Sequence, residues 1–283
     1  MAVSTQTASE LTQEQVQSIL VQPLEAKSIF LAASPLIFDT DGSPVRVPTL
    51  GAATNPAWHG ENEQITEQDV DFGEIELLPS GMKSIKSLTR FSNELARQSV
   101  VALDSALQAR LVKDVADKMD AQLLSASGDG VTTPRGLFAY EGVQNLALGG
   151  AVDVDDLHDA YGLALGENVD TTRVVWIMNP AEFTAINKLK TSTGEYLVGR
   201  DVTEAGRYQL LGAPVFVSNH VPAGSAALVD FAQIGVARDV APAVKLLDQT
   251  FGDFDQLALR VVYRMDAKPL NAKAVVTLTG IGE

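Results

Sequence analysis

Leu103, Leu107, Leu111, Val115 and Met119 recur every fourth residue, and Ala106, Val112 and Leu123 widen the stripe they form. This spacing predicts a long amphipathic helix over about residues 100–126. Asp114–Lys118 supports it with the acid first, and Lys113–Asp117 supports it more weakly in reverse order. Gly128-Asp129-Gly130 stops the helix. A helix of some 25 residues is a rod of roughly 38 Å, and its single apolar face must lie along a sheet or another helix. Just before it, "SNEL" predicts a short helical turn beginning at Ser92. At the start of the chain, Val16, Ile19, Leu20 and Leu24 predict a short amphipathic helix interrupted at Pro23. It belongs to an arm, residues 1–43, with little core of its own.

Elsewhere the period is two. Val45, Val47 and Thr49 alternate, and Ile75 and Leu77 alternate in a second extended segment that runs on toward Phe91, with Pro79-Ser80-Gly81 as a break. These segments predict a long hairpin, which is marginal in isolation and must rest on something else. "TTPRGLF" reads as a turn into a short strand. Asp153 caps a helix that carries Asp155 and Asp156 in its first turn. "VVWIM" is a buried strand, followed at once by a helix with Pro180 near its start. A glycine-bearing loop over residues 191–209 leads to further strands in "LLGAPVFVSNHVP", "SAALVDFAQIGVARD" and "LALRVVYRMDAKPLNAKAVVTLTG". Helices and strands mix without a βαβ rhythm, so the fold class is α+β.

Charge changes the picture at one place. Between Trp58 and Glu76 stand seven carboxylates (Glu61, Glu63, Glu67, Asp69, Asp71, Glu74 and Glu76), and no Lys or Arg occurs between Arg46 and Lys83. The hairpin therefore has an acidic tip that cannot pair its charges internally. The whole chain carries a formal net charge of -15, which argues against a phosphate-binding surface. No basic and apolar leader marks the start, and no run of about 18 apolar residues spans a membrane; the expectation is a chain made and folded in a cytoplasm.

Candidate chemistry is sparse. The sequence has no cysteine, so disulfides and thiolate sites are excluded. His59, His158 and His220 form no pair at metal-ligand spacing. The acids of "DVDDLHDA" complement a helix start better than they build a metal site, and "DTDG" at Asp39–Gly42 reads as a turn, since no calcium-ligand series follows it. No GK dipeptide, nucleophile elbow or dinucleotide fingerprint is present. Neither a catalytic site nor a cofactor or metal site is expected.

Taken in order, "AWHGENE", "IELLPSGMKS", "LTRFSNELARQS", "LLSASGDGVTTPRGL", "WIMNPAEFTAINKLKTSTGEYLV", "GRYQLLGAPVFVSNHVP", "ALVDFAQIGVARD" and "LALRVVYRMDAKPLNAKAVVTL" resemble the tailed-bacteriophage major capsid protein family, the Hong Kong Ninety-Seven fold, over residues 45–280. The resemblance implies an N-terminal arm (1–43) and an extended hairpin or E-loop (44–90). A peripheral domain with a spine helix (91–150) and an axial domain (151–250) would follow, with C-terminal strands (251–283) completing the peripheral domain. It implies pentamers and hexamers of one chain closing an icosahedral shell around double-stranded DNA, within a virion assembled in the bacterial cytoplasm. It also implies a portal protein, a separate scaffold protein and possibly a decoration protein as partners.

In that family the E-loop crosses a neighbouring subunit. The resemblance therefore places Trp58, Glu61, Glu63, Glu67, Asp69 and Asp71 at an interface, with Arg90, Arg97, Arg110 and Lys113 as candidate basic partners. Some relatives crosslink through an E-loop lysine; none stands between Arg46 and Lys83 here. Some carry a long built-in scaffold, which is not expected in a chain whose fold begins within about 45 residues of Met1; a separate scaffold or a longer precursor would then serve. Two other readings stay open: an encapsulin-type nanocompartment shell, and a hydrolase with a surface triad.

Overall fold

The computed structural model describes residues 28–50, 58–59, 61, 72–78, 83–92, 103–190, 208–239, 243–247, 250 and 255–282. The expected helix around Pro23 lies outside them.

Three strands set the frame of the first sheet. Strand β1 (Leu36–Thr40) pairs in parallel with β10 (Ile234–Asp239), and β10 pairs antiparallel with the C-terminal half of β12 (Gln256–Pro269). The other half of β12 is flanked by β4 (Ser84–Ser92) and β11 (Ala243–Leu247), both antiparallel. The spine helix α2 (Leu103–Leu123) lays Leu111, Val115, Met119 and Leu123 against Val261, Tyr263 and Met265 of β12. The stripe read from the sequence is thus the buried face wherever α2 side chains are described. Asp114 pairs with Arg110, one turn earlier, at 2.9 Å.

The second sheet has the order β5 (Gln144–Gly150), β13 (Val275–Ile281), β9 (Ser225–Asp230), β6 (Val174–Met178), β8 (Ala213–Val217), β7 (Tyr208–Leu210). All five residues of β6 are buried, and alternation divides them. Val175 and Ile177 join the core shared with α2 and the first sheet. Val174, Trp176 and Met178 face α3 (Val154–Gly166) and α4 (Pro180–Asn187) on the other side. Asp153 caps α3 in a reciprocal capping box with Asp156, and Asn179 caps α4 ahead of Pro180.

Several expectations are corrected. Ser92 ends strand β4, whose ladder to β12 runs on to Gln256, and the helical turn expected after it lies outside the described residues. Residues 28–40 are not a coreless arm. Phe30, in the short helix α1 (Ile29–Ala32), is fully buried and meets Phe231 edge-on at 5.3 Å. Asp120 of α2 reaches back to cap α1, accepting from Ser28 Oγ at 2.6 Å and from the Ile29 amide at 2.8 Å. A 3-10 turn (Leu137–Ala139) precedes the strand expected after "TTPRGLF". Beyond the 28–40 segment, β10 and β11 hydrogen-bond into the first sheet, whereas β13 lies in the second.

Candidate assembly interface

The hairpin forms as its alternation predicts, between β2 (Val45–Leu50) and β3 (Phe72–Leu77), antiparallel with Val45 opposite Leu77 and Leu50 opposite Phe72. The second strand is shorter than expected: after Leu77 the chain leaves the hairpin, and β4 belongs to the first sheet. At the root, Leu77 and Leu78 pack with Ala237 and with Val45, Val47 and Phe38. Exposure then climbs along β3, from 0% at Leu77 to 73% at Phe72. The hairpin projects from the body.

Its root is held by buried polar groups. Leu78 sits at φ 51°, a left-handed conformation uncommon for leucine, and its amide donates to Asp266 Oδ2 at 3.1 Å. The other oxygen of Asp266 accepts from Lys83 Nζ at 2.6 Å and from the Ala267 amide at 3.0 Å. Lys268 Nζ donates to the Glu76 carbonyl at 2.6 Å. Burial, and then the charge of Asp266, push the Tyr140 hydroxyl far above its ordinary range. Both strands that flank the 79–82 segment are therefore tied to the same stretch of β12.

At the tip, Trp58, His59 and Glu61 are exposed. Glu63, Glu67, Asp69 and Asp71 lie outside the described residues, as does Arg97. Arg46 faces Glu76 across the hairpin at 3.7 Å. Arg110 is engaged by Asp114, Lys113 is exposed on α2, and Arg90 is exposed on β4. Among the described residues, Glu61 is not brought together with Arg90, Arg110 or Lys113 within one chain.

A second feature escaped the sequence reading. Residues 86, 88 and 90 of β4 and 258, 260, 262 and 264 of β12 share the face of the sheet turned away from α2. That face carries Lys86, Arg90, Arg260 and Arg264 around Leu88 and Val262, with no Asp or Glu at these positions. A shallow groove of about 400 Å³ runs between Lys86, Leu88, Arg260 and Arg264. The signal was present as alternation, Lys-x-Leu-x-Arg in one strand and Arg-x-Val-x-Arg in the other, but only the register places the two side by side.

The remaining candidates resolve into structural roles. Asp39 pairs with Arg238, and Thr40 closes its turn by donating to the Ser43 carbonyl at 2.5 Å. His220 lies near Asp120, but Ser28 donates to that aspartate and is itself fully buried, so Ser28 and Asp120 cap a helix instead of forming a nucleophile and base. Among the described residues no cluster of His, Asp or Glu could hold a metal ion, and no helix is long and apolar enough to cross a membrane.

Comparison with known proteins places these features in context. The model of the phage capsid family matches residues 9–280. The major capsid protein of Halomonas phage phiHAP-1 is 24% identical over 232 residues, which is 81% of this chain and 37% of that protein's length. The capsid of a native GTA particle superposes with a TM-score of 0.73 at 17% identity, over 99% of this chain and 96% of that one. A chain from Microbacterium phage Oxtober96 gives 0.74 at 14% identity, over 89% and 91%. At such identities the likeness is one of fold, and the fold is that of the Hong Kong Ninety-Seven type.

Proposed function

The chain belongs to the phage capsid family, and from that premise we propose that it is the major capsid protein of a tailed bacteriophage, closing as pentamers and hexamers into an icosahedral shell around double-stranded DNA. The observation that carries this reading is the family match over residues 9–280. The geometry supports it. A hairpin anchored at its root and exposed at its tip has no partner for Trp58 or Phe72 within the described residues of its own chain, as a subunit that completes itself on a neighbour requires. The two main sheets of the body support a division into a peripheral and an axial domain. In this reading the boundary follows hydrogen bonding: β4, β10, β11, β12 and α2 are peripheral, and β5 to β9 with β13, α3 and α4 are axial. The protein acts as a structural component without catalysis, with a portal, a separate scaffold and a decoration protein as its partners.

Electron microscopy of the purified protein, with light scattering for mass, tests the reading. Closed icosahedral shells or capsomer rings are the expected result. A protein that stays monomeric at every salt and protein concentration, also with lysate of its native source added, would overturn it. Within this reading, Glu61→Lys with Glu63→Lys leaves a folded subunit that assembles poorly.

A further inference from the structure

Two aspartate-glycine pairs occur in the chain, Asp41-Gly42 and Asp129-Gly130, and the fold treats them in opposite ways. Both glycines hold a positive φ, 78° at Gly42 and 70° at Gly130, so each turn calls for glycine after its aspartate. A glycine there has no side chain to shield its amide nitrogen from the carboxyl carbon of the residue before it.

In the loop after α2 both reacting groups are locked. The Asp129 carboxylate accepts from the amides of Val131, Thr132 and Thr133 and from the hydroxyls of Thr132 and Thr133. These bonds hold it ionised, and a carboxylate must gain a proton before it can lose an oxygen as water. The Gly130 amide is engaged too, donating to the Thr133 carbonyl at 3.0 Å.

The turn between β1 and β2 shows the reverse. Asp41 is exposed, and among the described residues neither its carboxylate nor the Gly42 amide has a hydrogen-bond partner. The turn is closed by its neighbours instead. Thr40 donates to the Ser43 carbonyl at 2.5 Å, and Asp39 is held by Arg238.

We infer that Asp41-Gly42 is a site of spontaneous backbone isomerisation, at which the folded protein acquires isoaspartate with age, while Asp129-Gly130 is protected by its loop. The Gly42 nitrogen attacks the carboxyl carbon of Asp41. A C–N bond forms, and the carboxyl hydroxyl leaves with the amide proton as water. The product is a succinimide ring, which a second water opens. Attack at Cγ restores aspartate. Attack at the main-chain carbonyl breaks the original peptide bond, returns a proton to the nitrogen, and leaves an α-carboxylate beside a chain that now runs through Cβ and Cγ. The turn then has one more backbone carbon. Phe38 before it and Val45 after it pack in the same small core, so the change falls at the seat of the hairpin. The inference holds whether or not the chain builds shells.

Ageing tests it. Full-length protein is incubated in neutral buffer, folded and in guanidinium chloride. Its peptides are followed by mass spectrometry with electron-transfer fragmentation, which separates isoaspartate from aspartate of equal mass. Label transfer by an isoaspartyl methyltransferase gives a second readout. In folded protein isoaspartate should accumulate at Asp41 while Asp129 stays at its starting level; in denatured protein both should convert. Asp41→Glu, whose ring would need an extra member, should lose the folded-state signal. Asp41→Asn, which closes the same ring with ammonia as the leaving group, should raise it. No isoaspartate at Asp41 in folded protein, over a time in which the denatured chain converts it, overturns the inference. Equal conversion at Asp41 and Asp129 in folded protein overturns it as well, as does an absence of conversion in both states.

Discussion

The Lys83 ammonium and the Asp266 carboxylate meet at 2.6 Å with 2% and 0% of their side chains exposed. Lys83 immediately precedes β4 and Asp266 lies in β12, so the pair fixes where the chain enters the first sheet after the hairpin. An ion pair this deep holds less net energy than its distance suggests, yet removing one partner leaves a charge stranded in a medium that cannot solvate it. Asp266→Ala should destabilise the subunit by about 3–5 kcal/mol, measured by denaturant unfolding. It also strips the Leu78 and Ala267 amides of their acceptor. Lys83→Met with Asp266→Asn keeps an acceptor and buries no charge, so it should cost clearly less than Asp266→Ala.

Asp120 joins α2 to the segment that begins at Ser28. Asp120→Ala leaves Ser28 Oγ and the Ile29 and Phe30 amides without their acceptor, and should cost about 2–3 kcal/mol. Burial raises the Asp120 carboxyl above its ordinary value of 3.8, against the lowering effect of its hydrogen bonds and of His220. Between that value and the raised one the folded state binds more protons than the unfolded chain, so stability falls as pH rises. Measured against Asp120→Asn, the wild type should lose relative stability as pH rises from the ordinary value through the raised one.

Asp129 behaves in the opposite sense. Its carboxylate accepts from the side chain of Thr132 and from the amides of Thr133 and Val131, and these bonds hold it far below the ordinary range. The loop's contribution is therefore present above pH 3.8 and lost as the pH falls through the depressed value. Amide exchange protection at Val131, Thr132 and Thr133 should drop on that acid limb, and Asp129→Ala should abolish it already at neutral pH.

The two tryptophans separate cleanly. Trp176 is fully buried in the second core, and Trp58 is fully exposed at the hairpin tip. Assembly that buries the tip should shift the emission of Trp58 to shorter wavelength and protect it from iodide, while Trp176 stays constant. Trp176→Phe isolates the reporting signal. An unchanged spectrum across assembly would show that the tip stays in water.

The elements with strong periodicity were legible. The α2 stripe, the Asp153 and Asn179-Pro180 helix starts and the alternation in β2, β3 and β6 follow from side-chain geometry that local sequence carries. What stayed hidden was set by distant pairing. Nothing near Ser92 announces Gln256 across the ladder, and nothing near Phe30 announces Phe231. The acidic hairpin tip could be read because its charges cluster within one short stretch of sequence. The basic sheet face, Lys86 and Arg90 with Arg260 and Arg264, is split between segments some 170 residues apart and becomes one surface only through the β4–β12 register.

Strand β12 is the member of the first sheet that touches β4, β10 and β11, and β13 lies between β5 and β9 in the second. Both are encoded after residue 255. During synthesis, then, β12 and β13 are made only after every other strand of their sheets. A fragment terminated before Gln256 lacks both β12 and β13 and so can complete neither sheet, although it holds every other strand of the two.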